Sequence, residues 1–259
     1  MRRVFVRPDA VGADRVRFDA AEAHHLRRVL RLRAGAVVEA TDGTGRLYTV
    51  RLAGLDAEGA WGTIEARAEP DRESSPCAIT LAQAILKGDR MSWLVQKATE
   101  LGVARVVPME TARVVARPVT GGMVRHTRWE RIAREAMKQC GRVVVPAVAP
   151  LHAFAEVLRE IPRHDAAWVF WEGGGQALAA AAQETAAPAR LLLLIGPEGG
   201  FTSEEVAMAE AAGARLVSLG PRILRAESAG ITAVALCQFL FGDLGGSKHE
   251  RERESGDRR

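Results

Sequence analysis

Two periodicities divide the chain. From Cys77 onward, short unbroken apolar runs such as Leu191-Leu192-Leu193-Leu194-Ile195 alternate with stretches whose apolar residues recur every three or four positions. The runs predict strands at 78–86, 103–109, 166–171, 190–196 and 214–219, and the other stretches predict helices at 90–101, 127–140, 151–161, 174–186, 203–212 and 227–241. Thr202 followed by Glu205 is a capping box, which fixes one helix start. Asp89 is expected to cap the helix at 90, and Thr127 the helix at 127 with Glu130 as its box partner; Gly102 and Gly213 stand where helices should stop. Strands alternating with helices in this way predict an α/β fold with a mainly parallel sheet covered on both faces.

Residues 1–70 follow a different rhythm, mostly β with one helix. Asp19 and Glu22 are placed to cap a helix running to about Leu32, carrying His24, His25, Leu26, Val29 and Leu30. Val37-Val38-Glu39-Ala40-Thr41 and Leu47-Tyr48-Thr49-Val50-Arg51-Leu52 flank Asp42-Gly43-Thr44-Gly45, a hairpin signal. The polar, proline-bounded stretch at 71–76 is expected to be a linker, so the domains are predicted at 1–70 and 77–244. Residues 245–259 lack apolar side chains and are expected to form a disordered tail. The last helix is apolar around most of its circumference, as in a helix buried on several sides.

The chemistry concentrates in two loops. Leu194-Ile195 feeds Gly196-Pro197-Glu198-Gly199-Gly200, which opens the helix capped at Thr202. A second apolar run feeds Leu219-Gly220-Pro221-Arg222-Ile223-Leu224-Arg225 and a further helix. Glycines there allow tight turns and let backbone groups approach a ligand, so two such loops at two strand ends predict one small-molecule pocket. Plain turns between strand and helix would need the same glycines. Neither G-x-G-x-x-G after the first strand nor G-x-x-x-x-G-K-[ST] occurs, which removes support for a dinucleotide or nucleotide-triphosphate enzyme.

Charge narrows the partners. The formal net charge is +4, but the segment Lys87 to Arg142 alone holds 12 Lys/Arg against five Asp/Glu. A clustered cationic segment suits a polyanion, RNA in particular. Cys77, Cys140 and Cys237 are far apart, odd in number and without C-x-x-C, so neither a disulfide framework nor a zinc site is expected, in keeping with a reducing cytoplasm. The adjacent His24 and His25 point to different helix faces, so no metal is expected there either. No apolar run approaches a membrane span, and the charged N-terminus does not read as a secretion signal.

Several motifs in order resemble those of the SPOUT methyltransferases, specifically the RsmE-type family that methylates N3 of a uridine in 16S ribosomal RNA. They are His24-His25-Leu26 with Val29-Leu30-Arg31, Lys87-Gly88-Asp89-Arg90-Met91 with Gln96-Lys97-Ala98-Thr99-Glu100-Leu101-Gly102-Val103, Gln139-Cys140-Gly141-Arg142, and the two loops. The match runs from about residue 4 to Leu244; Ser228 stands where the family more often has Thr, which keeps the hydroxyl. The resemblance implies a SPOUT-type knotted parallel-sheet domain preceded by a small PUA-like β-barrel domain. It also implies S-adenosylmethionine as cofactor, the 16S rRNA of the 30S subunit as substrate, and a homodimer, consistent with a cytoplasmic protein.

Under that resemblance the cofactor pocket is expected from Leu194, Ile195, Gly196, Glu198, Gly199, Gly200, Leu219, Gly220, Ile223, Leu224 and Arg225. Methylating N3 requires removal of an imide proton while negative charge spreads to O2 and O4, so a base and a cation are needed. Arg225 is the expected cation, with Glu198 or Glu227 as base or orienting group; helix-end roles for both glutamates are the ordinary alternative. Arg28, Arg31, Arg33, Lys87, Arg90, Lys97 and Arg142 are expected RNA contacts, against a merely solvated basic face. Trp171-Glu172-Gly173 ends a strand near the same cleft or forms a simple turn. A tRNA-directed enzyme of the same fold and a non-catalytic RNA-binding factor are the rival readings.

Overall fold

A computed structural model of the 259-residue chain describes residues 3–56, 59–69, 75–114 and 122–245. Residues 71–74 of the linker expected at 71–76, and residues 246–259 of the tail expected at 245–259, lie outside them. The chain divides into two compact units, one of Met1–Glu73 with Arg134–Val145, the other of Ser74–Ala133 with Pro146–Arg259.

In the first unit, β1 (Arg3–Phe5), β2 (Arg15–Phe18), β3 (Val37–Thr41), β4 (Leu47–Leu55) and β5 (Ala60–Ala68) form a sheet of order β1-β3-β4-β5-β2, all antiparallel except β1 with β3. The expected hairpin joins β3 to β4 in the register Thr41 to Leu47. Its turn places Gly43 at φ 77° and Gly45 at φ 105°, a region that favours glycine. Asp42 organises it by accepting from Thr44 N at 2.9 Å and from the Tyr48 hydroxyl at 2.8 Å. Val4, Phe18, Leu26, Val38, Tyr48, Val50 and Leu52 fill the core.

Asp19 caps α1 (Ala20–His24), its Oδ1 accepting from Glu22 N at 2.9 Å, as expected. The helix does not continue regularly to Leu32. His25–Val29 form a wider turn, closed by Leu30 N donating to His25 O at 2.9 Å. The extra residue rotates the register: Leu26 is fully buried, Val29 is 62% exposed, and Arg31 takes φ 53°.

The second unit is built on a wholly parallel sheet, and its five long strands match the expected ones. These are β6 (Ala78–Ala84), β7 (Arg105–Glu110), β10 (Ala166–Phe170), β12 (Arg190–Ile195) and β13 (Arg215–Ser218). Three short pieces, β8 (Ala147–Val148), β9 (His152–Ala153) and β11 (Gln176–Ala177), extend the edges. The order is β11-β13-β10-β12-β6-β7-β8, with β9 also on β7. Leu191 to Leu194 have no exposed surface, which is why β12 reads as an unbroken apolar run rather than an alternation.

The helices are α2 (Arg90–Glu100), α3 (Gly122–Cys140), α4 (Phe154–Leu158), α5 (Leu178–Gln183), α6 (Ser203–Ala211) and α7 (Ala226–Phe241). Gly102 and Gly213 follow helix ends at φ 83° and 99°, as expected. Three expectations need correction. Thr127 caps nothing, because α3 has already begun at Gly122 and Thr127 and Glu130 are simply one turn apart inside it. Asp89 sits at the N-cap of α2 without capping it; its carboxylate accepts from Arg128 Nη2 at 2.8 Å. The helices expected at 151–161 and 174–186 are shorter, because His152–Ala153 and Gln176–Ala177 pair with β7 and β13 first.

α7 packs along α2. Gln238 Nε2 donates to Gly102 O at 2.8 Å, and a β-carbon on Gly230 would lie 2.7 Å from Gln83 Oε1 and 2.9 Å from Leu94. A larger residue there would have to displace both side chains. Ala233, Val234, Cys237 and Gln238 of α7 are fully buried, while Leu236 and Phe239 remain 37% and 50% exposed. Among the described residues no helix is long and apolar enough to cross a membrane, and no group of three His, Cys, Asp or Glu is placed to hold a metal.

Candidate active site

Strand order creates the site. β10 lies between β12 and β13, so the loops leaving β12 and β13 flank the end of β10 at the carboxyl edge of the sheet. Ligands in open α/β sheets bind in that crevice. A cavity of about 530 Å³ occupies it, within the usual range for small-molecule sites. Ile195, Gly196, Glu198 and Gly200 line it from the first loop, and Leu219 through Arg225 line it from the second. Phe170, Trp171 and Glu172 close the side between them.

The first loop is held from three directions. The fully buried Gln83 at the end of β6 donates from Nε2 to Gly196 O at 3.1 Å. Arg113 Nη1 donates to Gly199 O at 2.9 Å. Glu205 completes the expected capping box, accepting from Thr202 N at 2.9 Å while its own N–H donates to Thr202 Oγ1 at 3.1 Å, and its other oxygen takes Ala112 N at 2.8 Å. Gly200 has φ 68°, and a β-carbon there would collide with the Glu172 carboxylate. A cradle that a methyl group would fill suits close backbone approach to a ligand.

The charged groups form a chain. Glu198 Oε1 accepts from Lys87 N at 3.0 Å and from Arg90 Nη1 at 3.1 Å. Burial alone would raise the Glu198 carboxyl, but the Lys87 amide and the Arg90 charge outweigh it and hold it below the ordinary glutamate range. Arg90 Nε lies 3.7 Å from Glu227 Oε1, so one guanidinium serves both carboxylates. The Glu227 side chain is 10% exposed, and its Oε2 has no hydrogen-bond partner among the described residues. Arg225, the N-cap residue of α7, has an exposed side chain with no ion pair among the described residues.

The expected cofactor residues come together with two exceptions. Leu194 is buried in β12 behind the cavity, and Gly199 turns its carbonyl to Arg113 instead of lining the wall. Phe170, Val217 and Ser218 were not foreseen; they are strand-end residues, and only the strand order brings them in. Of the expected RNA contacts, Arg28, Arg31 and Arg33 are exposed on the first unit, and the Arg142 carbonyl, also in that unit, accepts from Arg3 Nη1 at 3.1 Å. Lys87 is exposed, Lys97 is tied to Glu100 at 2.8 Å in its own helix, and Arg90 belongs to the carboxylate chain just described.

Known proteins give this geometry a family. Residues 73–238 match a model described as an RNA methyltransferase domain, and residues 18–65 match an RNA methyltransferase PUA domain. The chain is 33% identical to ribosomal RNA small subunit methyltransferase E of Synechocystis sp. over 92% of its own length and 78% of the relative's. It is 30% identical to the protein of that name from Bacillus subtilis, over 84% and 87% of the two chains. In structure it resembles ribosomal RNA small subunit methyltransferase E from Neisseria gonorrhoeae bound to S-adenosyl methionine, with TM-score 0.85, 34% identity, and 94% and 99% of the chains covered. A methyltransferase from Legionella pneumophila in complex with SAM gives TM-score 0.86 at 30% identity, covering 93% and 98%. The chain therefore belongs to the RNA methyltransferase family that includes ribosomal RNA small subunit methyltransferase E.

Proposed function

We propose that the protein transfers a methyl group from S-adenosylmethionine to N3 of a uridine in the 16S ribosomal RNA of the small ribosomal subunit. The observation that carries this is the cavity at the ends of β10, β12 and β13, shaped by Gly196, Gly200 and the apolar wall of the second loop, in a chain of this family. The fit to the cofactor is chemical: apolar side chains of Ile195, Leu219, Ile223 and Leu224 beside loop backbone groups suit adenine, and the Glu172 and Glu198 carboxylates in the same lining suit a cation. When bound, S-adenosylmethionine supplies an electrophilic methyl on a sulfonium, and the electron pair of the broken C–S bond stays on sulfur.

The residues divide the remaining work. Glu198, held charged by Lys87 N and Arg90, orients the first loop rather than taking a proton. Glu227, buried with one oxygen unpartnered among the described residues, accepts the N3 proton as N3 bonds to the methyl carbon. Arg225 stabilises the charge that develops on O2 and O4. In the first unit the exposed Arg28, Arg31 and Arg33, with Arg142, hold RNA phosphates, and in the second unit the exposed Lys87 is a further phosphate contact. The domain division at the 71–76 linker, the knotted threading, a cytoplasmic site and a homodimer go with the same reading. The exposed Leu236 and Phe239 of α7 support the dimer, because a second copy would cover them.

The test incubates the purified protein and labelled S-adenosylmethionine with 30S subunits from a strain lacking the endogenous activity, followed by nucleoside analysis. The expected product is 3-methyluridine in 16S rRNA. Cofactor binding without transfer to these subunits would overturn the substrate; absence of both would leave a non-catalytic RNA-binding protein.

A further inference from the structure

A second cavity, about 510 Å³, adjoins the first and is lined by Asp89, Arg90, Trp93, Arg225, Glu227 and Ser228. Arg90 and Arg225 line both cavities, so they form a shared wall. We infer that the second cavity receives the acceptor base and that the Trp93 indole is the face on which that base stacks. The inference rests on the uridine reading above and names the element that would seat the base.

Trp93 is the first observation. Its helical neighbours Leu94 and Val95 are fully buried, yet the indole is 46% exposed, so it is not spent on the core. A lone exposed aromatic is ordinary on a protein surface. This one is not alone, because it faces a cavity holding Glu227, a nine-tenths-buried carboxylate whose Oε2 lacks a partner among the described residues. Burying a carboxylate oxygen unpaired is costly, and an imide N–H is a donor that would satisfy it.

Uracil matches these walls feature by feature. Its faces are apolar and polarisable, its N3–H is a donor, and O2 and O4 are acceptors. The cavity supplies an indole for a face, Glu227 for the donor, and Arg225 with the Ser228 hydroxyl for acceptors. A base seated so would bring N3 toward the wall shared with the cofactor cavity. Stacking on an aromatic side chain tolerates any base, so Trp93 would supply affinity while the polar groups select uracil.

The test compares Trp93→Phe and Trp93→Leu in the full chain, with wild-type protein alongside. For each, kcat/KM is measured for 3-methyluridine formation on 30S subunits, with cofactor Kd and mass by light scattering. Trp93→Leu keeps an apolar cover but removes the π-face. It is expected to lower kcat/KM by between about fivefold and a hundredfold, the size of one base–aromatic stack, with Kd and mass unchanged. Trp93→Phe is expected to keep most of the activity. Equal activity of the two variants overturns the inference, as does a fall in Trp93→Leu that tracks weakened cofactor binding or loss of the oligomer. Wild-type protein inert on 30S subunits takes down the uridine reading and this inference with it, whereas an active wild type with an indifferent Trp93→Leu takes down this inference alone.

Discussion

Gln83 gives a sharp test of how the cofactor loop is built. Its side chain is fully buried at the end of β6, donating to Gly196 O at 3.1 Å and to Ala84 O at 3.2 Å. Its Oε1 has no partner among the described residues and faces the bare Cα of Gly230. Gln83→Leu keeps the volume and deletes both the donors and the orphan oxygen. Losing the Gly196 bond should cost ~1–3 kcal/mol, and removing an unsatisfied buried amide oxygen should return a similar amount. The Ala84 bond is lost as well, so the cancellation is partial and leaves a net loss of roughly 1 kcal/mol, a melting-temperature fall of about 2–4 °C in a protein of this size. The loop does not share in that cancellation. Gly196 loses its anchor whether or not Oε1 is relieved, so cofactor affinity should fall by about fivefold or more, 1.4 kcal/mol being tenfold. Calorimetric unfolding and titration with S-adenosylmethionine measure the two quantities separately. An unchanged Kd beside the fallen melting temperature would refute the clamp, because Gln83 would then serve only the core.

Other perturbations read other links. Lys138, 8% exposed and bonded to Glu22 at 2.6 Å, should cost about 3–5 kcal/mol on mutation to alanine by leaving Glu22 buried and unpaired, while the double change Glu22→Leu with Lys138→Met should recover most of it; denaturant unfolding of both decides. Thr202→Ala removes the cap of α6 and should lower stability by ~1 kcal/mol, whereas Glu205→Ala should cost more because it also releases Ala112 N; equal losses would refute the second role. Glu198 titrates below its ordinary value, so its stabilising contribution is present above the unfolded-state value of about 4.3 and is lost as pH falls through the folded one. The melting-temperature gap between wild type and Glu198→Gln should therefore close in acid, and a gap that widened there would show the opposite sign.

The sequence made the second unit legible for a physical reason. A strand buried on both faces must be apolar throughout, so β6, β7, β10, β12 and β13 announce themselves, and a capping box such as Thr202 with Glu205 has few other uses. What failed was competition that local pattern does not contain. Asp89 is a sound capping residue, but Arg128, 39 positions away, takes its carboxylate. Thr127 lost its role because α3 started at Gly122. The pocket's two loops were readable, while Phe170, Ser218 and the clamp from Gln83 were not. Their membership depends on β10 lying between β12 and β13 and on β6 pairing with β12, and nothing in a strand's own residues states its neighbours.

The charges at the shared wall explain why two arginines that lie close together should have different tasks. Arg90 faces Glu198 and Glu227 at 3.1 and 3.7 Å, so its charge is already matched by two carboxylates and offers little to an incoming anion. Arg225 has no such partner among the described residues, although it borders the same two cavities. Negative charge growing on the acceptor is best met by a cation not already neutralised. Glu227 and Arg225 both line the acceptor cavity, and the pairing of Arg90 with Glu198 and Glu227 leaves Arg225 as the unmatched cation beside the base. Replacing Arg225 with lysine would keep the charge but lose the planar fork that can reach two acceptors at once, so it should lower turnover by more than it weakens cofactor binding.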